Sequence, residues 1–181
     1  MLRYVKGVTI MSVNEIIQKR KSVRNYKEGK IVTKEQIKTV LEAGMMAPSA
    51  KNTRPWEFIV IQNRKKLEEL ANIHPHADMV KTAGTAIIVC ANRDLQKGTI
   101  QGFFAKDCAA ATENILLQSV ALDLGTCWCG VYPKEEMVTK FREILELPEN
   151  IVPFNLIAIG IPDEEFGGRG FYEENKIKWI D

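Results

Sequence analysis

The amino-acid sequence predicts an α+β layered domain: a sheet of about four or five strands with helices on its faces. Three observations carry the prediction. The stretch Phe103–Leu124, FFAKDCAAATENILLQSVALDL, is dense in helix formers, free of Gly and Pro, and apolar on almost every face. Two apolar runs of strand length, Thr85–Ala91 and Phe154–Ile161, read as strands buried on both faces. Strands and helices alternate, yet no Gly-x-Gly-x-x-Gly follows a strand, so the signature of a doubly wound dinucleotide-binding sheet is missing.

The long helix organises the rest. About 22 residues, or roughly 33 Å, would cross a small domain. Lys106, Asp107, Glu113 and Asp123 interrupt the run, so it is not a membrane span. A helix this apolar is the core of one domain or a core shared with a second copy of the chain. Gly125 stands where a C-terminal stop is expected.

The remaining elements follow in chain order. Val13 to about Lys21 is a short helix with Ser12 as its N-cap. It runs into the basic cluster Lys19-Arg20-Lys21-Ser22-Val23-Arg24, and Asn25–Lys30 is a polar loop. Thr33-Lys34-Glu35-Gln36 is a capping box opening a helix whose core face is Ile37, Val40, Leu41, Gly44 and Met45. Ala47–Pro55 is an irregular loop punctuated by two prolines. Trp56–Gln62 is a strand, and Asn63 caps a polar helix, Arg64–Asn72. Residues Asn92–Gln101 form a polar connection into the long helix, and Thr126–Val131 is a strand beyond it. Pro133 is placed at the first position of another helix, with Met137, Phe141, Ile144 and Leu145 on one face. Pro162–Phe171 is a Gly-rich loop with one cation, Arg169. The tail Tyr172–Asp181 is too apolar to float freely and is expected to pack on something, a partner subunit being one option.

A length of 181 residues suits one domain with a real core. Residues 1–10 (MLRYVKGVTI) are expected to be a peripheral extension, with Met11 as a second potential start and 11–181 as the domain. Those ten residues are too short and mixed for a signal peptide. A formal charge of +2 calls for neither nucleic acid nor membrane partners. The four cysteines do not form a disulfide framework, which fits a reducing, cytoplasmic setting.

Few residues suggest chemistry. In an extended segment Arg20, Ser22 and Arg24 share one side, giving two guanidinium forks with a hydroxyl between them. That set suits a phosphate or another planar anion. The competing reading is a solvated basic face at a helix end. The Pro48–Pro55 loop offers the Ser49 and Asn52 side chains and backbone amides. Cys127-Trp128-Cys129 is not a metal or redox signature: the spacing is C-x-C, no second pair follows, and neither His is nearby in sequence. His74 and His76 flank a proline and read as a turn. No G-x-S-x-G, HExxH or evident carboxylate pair is present.

Four landmarks in order, Arg20–Tyr26, Ala47–Trp56, Asp107–Leu117 and Leu124–Pro133, resemble the nitroreductase family of FMN-dependent oxidoreductases. The resemblance runs from about Val13 to Trp179. It implies a three-layer α+β domain: a mainly antiparallel sheet of four to five strands, helices on both faces and a long central helix. It also implies a homodimer with two FMN sites at the subunit interface. Arg20, Lys21, Ser22 and Arg24 match flavin-anchoring positions, Arg20 toward the phosphate and Arg24 toward the pyrimidine edge. Pro48, Ser49, Ala50 and Asn52 would come from the other subunit. Trp128, Cys129 and Gly130 match the strand end that passes N5, and Arg169 a late cation closing on the phosphate. Phe103 and Phe104 would border the substrate pocket. The chemistry belongs to the flavin, so no side chain is assigned as general acid or base. The helix's surplus apolar face would be the dimer seam at Ala109, Ala110 and Ala111, so a charge at Ala110 or Ile115 should cost both dimer and cofactor.

The sequence departs from the commoner family pattern at Arg54, where many relatives have Gln, and at Cys129, where larger ones carry Glu. The expected function is hydride transfer from NAD(P)H through flavin N5 to a nitroaromatic or quinone. The alternative is an FMN-binding protein for storage, sensing or delivery without turnover. A specialised flavin-destroying or dehalogenating member ranks last, because no lid segment is visible.

Overall fold

In the computed structural model, residues 11–96, 98, 102–168 and 170–180 are described. The extension 1–10 and Arg169 lie outside them. The described residues form six α-helices and four strands: α1 Val13–Lys19, α2 Lys34–Met45, β1 Trp56–Ile61, α3 Arg64–Ile73, α4 Val80–Ala83, β2 Ala86–Asn92, α5 Phe103–Ala121, β3 Gly125–Gly130, α6 Glu135–Leu145 and β4 Ile151–Gly160. The caps read from sequence are present. Ser12 and Thr33 each close a capping box, with Glu15 and Gln36, and the Asn63 side chain accepts from the Lys66 amide.

The sheet order is β1-β2-β4-β3, and every pairing is antiparallel. All ten residues of β4 are buried, so both faces of the sheet are covered. On one face Asn155 of β4 donates to Thr112 of α5 at 2.8 Å. On the other, the Cys129 thiol of β3 donates to the His76 carbonyl, just beyond α3, at 3.1 Å. The segment after α1 adds bridge pairings at the sheet margin, Ser22 with Thr126 (parallel) and Tyr26 with Pro162 (antiparallel).

Four expectations need correction. The helix before β3 is not stopped by Gly125: α5 ends at Ala121, Asp123 takes the left-handed conformation at φ 55°, and Gly125 already belongs to β3. Gly125 is needed for closeness, since a Cβ there would lie 2.7 Å from Val23 Cγ1. Pro133 does not start α6. Lys134 is extended at ψ 98°, so the helix begins at Glu135. β4 is Ile151–Gly160 rather than Phe154–Ile161: it starts three residues earlier than the sequence predicts and runs through Pro153. The register steps at Val89/Cys90, and that bulge accommodates a residue with no N–H to donate. Finally, Ile115 is no seam residue. It is fully buried, with Cδ1 3.0 Å from where a Gly44 Cβ would sit, so it belongs to the α2–α5 core. Ala111 is also fully buried, while Ala109 and Ala110 remain partly exposed.

The tail does not pack on its own subunit. Phe171, Tyr172, Trp179 and Ile180 are 74–85% exposed. Val13 and Ile17 of α1 are exposed as well, leaving large apolar side chains without cover inside one protomer.

Candidate functional site

The basic segment is held by the residues between its cations. Val23 is fully buried, and its amide donates to the Thr126 carbonyl at 2.8 Å. The Tyr26 hydroxyl, itself buried, donates to the Val23 carbonyl at 2.8 Å. With Val23 and Tyr26 turned inward, Ser22 and Arg24 are turned out. Together with Arg20, Lys21, Asn25 and Glu164 they line a cavity of about 420 Å³. Three cations around one hydroxyl suit an anion, as the spacing predicts.

Two carboxylates temper that charge. Glu113 of α5 lies 3.6 Å from Arg20 Nε, a half-exposed pair of small energetic weight. Glu164 lies 2.9 Å from Lys21 Nζ and accepts the backbone amides of Arg24 at 2.6 Å and Asn25 at 3.1 Å. The hydrogen bond from Lys21, then the one from the Arg24 amide, hold the Glu164 carboxyl down at about 2. Lys21, expected as a cofactor contact, is thus engaged by Glu164, and Glu164 shapes the segment by gathering its amides. Among the described residues Arg24 is in no ion pair; its Nη1 donates to the Ser22 carbonyl at 3.3 Å.

The Glu164 contacts stabilise the fold only while the carboxylate is charged. Its folded pKa is depressed below the ordinary 4.5, so the stabilisation is present above that value and is lost as pH falls toward about 2. Glu164→Gln is therefore expected to be less stable than wild type near neutral pH, with the gap closing across that acidic window. Denaturant titrations at several pH values check this, and a gap independent of pH would contradict it.

The Ala47–Pro55 loop closes on itself. Ser49 Oγ accepts from the Arg54 amide, and the Ala50 amide donates to Asp107 Oδ1 of α5, both at 2.9 Å. Lys51, Asn52 and Arg54 are left-handed at φ 51°, 54° and 49°, a costly run for non-glycine residues. The Arg54 guanidinium donates to the Met45 carbonyl at the end of α2, so the side chain serves a helix terminus. None of Pro48, Ser49, Ala50 and Asn52 lines the basic cavity of the same subunit.

The end of β3 lies roughly 13 Å along the strand from the Ser22–Thr126 bridge. Trp128 is half-buried against Phe154, with ring centroids 5.9 Å apart, and Gly130 is exposed. The Cys129 thiol points into the domain toward His76, so it presents backbone rather than sulfur at this end of the strand. Phe104 lines a separate, larger cavity of about 630 Å³ with Tyr132, Arg93 and Arg142. Its ring meets Tyr132 edge-on at 4.9 Å. Phe103 carries the Lys106 ammonium 4.5 Å above its ring and is not part of that wall.

The nitroreductase family model matches residues 17–77 and 73–161, which span the basic segment, the proline-flanked loop and all four strands. The chain belongs to the nitroreductase family. A Methanothermobacter thermautotrophicus protein, provisionally named NADH dehydrogenase/NAD(P)H nitroreductase, is 43% identical over 175 residues, covering 95% of this chain and 90% of the relative. A Parabacteroides distasonis crystal structure of the same provisional name superposes with a TM-score of 0.87 at 37% identity, covering 93% and 98% of the two chains. A provisionally named nitroreductase from Desulfovibrio desulfuricans, solved in complex with FMN, matches with a TM-score of 0.79 at 27% identity over 94% and 97%.

In this nitroreductase chain two residues at the candidate site escaped the sequence reading. Glu164 sits in a loop with no periodicity to mark it. Asp107 was readable: at helical spacing it falls in line with Phe104, Ala111 and Ile115, all buried, and a carboxylate in that line signals a specific partner.

Proposed function

We propose that the chain is an FMN-dependent NAD(P)H oxidoreductase that works as a homodimer. The observation that carries the proposal is the Arg20–Ser22–Arg24 wall of the cavity beside β3. Two guanidiniums and a hydroxyl match the donor set a phosphate requires. A volume of about 420 Å³ lies in the range of cofactor sites. Arg20 and Ser22 would hold the phosphate. Arg24 would lie at the pyrimidine edge, where a cation favours the negative charge of the reduced ring. Backbone at Trp128, Cys129 and Gly130 would pass the ring, and Arg169 is proposed as a further phosphate contact. Bound FMN supplies hydride acceptance and donation at N5; the protein positions, charges and shields it. The FMN in the Desulfovibrio structure and the NAD(P)H in the relatives' names support this reading.

What one protomer leaves undone supports the homodimer. The strained 48–52 loop lines no part of its own basic cavity, the Trp179 tail is uncovered, and α5 leaves Ala109 and Ala110 partly exposed. A second copy would supply Pro48, Ser49, Ala50 and Asn52 to each flavin. Phe104 is proposed to border the acceptor's path, with a nitroaromatic or quinone as acceptor. The four cysteines are all free, which supports a reducing, cytoplasmic setting, and no described helix is long and apolar enough to cross a membrane.

FMN storage without turnover is the second reading, and it rested on Arg54 and Cys129. Both side chains are engaged away from the cavity, at Met45 and His76, so neither intrudes on it. The test is an absorbance spectrum before and after anaerobic NADH or NADPH. Flavin bands that bleach are expected. A protein that takes up no FMN ends the proposal, and one that binds FMN without bleaching establishes storage instead. Arg20→Ala is expected to weaken FMN binding by about 1.5–3 kcal/mol, roughly ten- to a hundredfold. Flavin fluorescence titration measures it, and unchanged affinity would return Arg20 to a solvated surface role.

A further inference from the structure

Asp107 stands on the buried side of α5 and is 5% exposed. A carboxylate in such a place costs stability unless it is bonded. Its Oδ1 accepts the Ala50 amide at 2.9 Å. Its Oδ2 is buried and has no hydrogen-bond partner among the described residues. Half-satisfied in this way, Asp107 is a poor choice for stability alone, since an apolar residue would fill the same space without an orphaned oxygen.

What it holds is the strained part of the chain. Ala50 opens the short 3₁₀ turn Ala50–Asn52, and Ser49 gives that turn no side-chain cap. The left-handed conformations at Lys51, Asn52 and Arg54 follow directly. Such a run persists only where its surroundings fix it. Few contacts fix this one: turn bonds from the Asn52 amide to Ser49 and from the Thr53 amide to Ala50, the Ser49 hydroxyl closing on the Arg54 amide, the Lys51 ammonium on the Gly98 carbonyl, the Arg54 guanidinium on the Met45 carbonyl, and Asp107. Among the described residues only Asp107 ties a backbone amide of the turn to α5; the Lys51 and Arg54 contacts run from long side chains to the Gly98 and Met45 carbonyls, and the rest lie within the loop. A charge-assisted bond to a backbone amide is about twice as strong as a neutral one, which suits a tether.

We propose that Asp107 is a positioning residue for the flavin site: it anchors the Ser49–Asn52 wall to α5, so that the wall is already shaped when FMN arrives. The inference rests on the proposed function, and Asp107 acts through Ala50 without touching the cofactor.

The test uses full-length wild type, Asp107→Asn and Asp107→Leu. Two quantities are read: amide hydrogen exchange at Ala50 in FMN-free protein, and FMN Kd by flavin fluorescence. Asp107→Leu is expected to speed exchange at Ala50–Thr53 and to raise Kd roughly ten- to a hundredfold, while β2 and β4 amides stay as protected as in wild type. Asp107→Asn keeps an acceptor but loses its charge, so it should fall between the two in both readouts. A purely structural role would instead lower protection throughout the sheet. Wild-type exchange and Kd in Asp107→Leu would overturn the proposal. If that variant does not fold, Asp107→Asn decides: unchanged Ala50 exchange and Kd overturn it, and faster exchange with weaker binding supports it. If wild type itself binds no FMN, the proposed function fails, and the exchange at Ala50 still reports whether the tether exists.

Discussion

Ala110→Arg is expected to separate the subunits and release FMN in one step. Along α5 the residues divide by helical spacing. Phe104, Asp107, Cys108, Ala111, Ile115, Leu116 and Ser119 are buried within the protomer. Ala109, Ala110, Glu113, Asn114 and Leu117 are only partly covered, and Ala121 is exposed. Small side chains on that open side allow a second helix to approach closely. An arginine at Ala110 would bring a large, charged side chain to a contact sized for a methyl group. Burying that charge unpaired would cost several kcal/mol, and the alternative is to hold the subunits apart. Because each proposed flavin site takes its basic wall from one protomer and its 48–52 wall from the other, separation removes half of every site. Sedimentation should show a monomer, and the flavin should be lost on desalting. The fold itself should persist, because Ala110 is only partly buried, at the margin of the protomer's core. A monomer that retains FMN at wild-type affinity would contradict the shared site.

How much of this was legible in the sequence depended on the range of the interaction. Caps at Ser12, Thr33 and Asn63 were readable because each is settled within three residues. The buried strands were readable because length and apolar content decide them. The Arg20–Ser22–Arg24 face was readable from strand alternation, and it holds because Val23 is drawn into the core between its exposed neighbours. Other features are fixed by residues far away in sequence, and local pattern is silent on them. Glu164 reaches back about 140 residues to the Arg24 amide. Gly125 looks like a helix stop until Val23, about a hundred residues earlier, is placed against it. The sense of Ile115 needed α2 to be packed in place. The start of β4 was hidden by Pro153, which adjoins a register step that leaves Phe154 of β4 without a partner on β2.

Gly125→Val is expected to be among the most damaging single changes to fold and site together. At most strand positions a glycine is a weakness, and a side chain there would gain stability by narrowing the unfolded ensemble. No left-handed φ stands in the way at Gly125. Contact decides the sign instead. A Cβ alone would lie 2.7 Å from Val23 Cγ1, 3.0 Å from Cβ and 3.1 Å from Cγ2. Val23 cannot yield: it is β-branched, fully buried, and held by its own amide to Thr126 and by Tyr26 to its carbonyl. Overpacking of this kind costs about 1–3 kcal/mol for small additions, so alanine should sit in that range and valine at its upper end or beyond. Relief is available in only one direction, by pushing the Ser22–Arg24 segment away from β3. That movement breaks the Ser22–Thr126 bridge and carries Arg20, Ser22 and Arg24 out of register. Stability by denaturant titration and FMN Kd should therefore fall together in the order glycine, alanine, valine. If the valine variant were less stable yet bound FMN as wild type does, the basic segment would not owe its shape to its seat on β3.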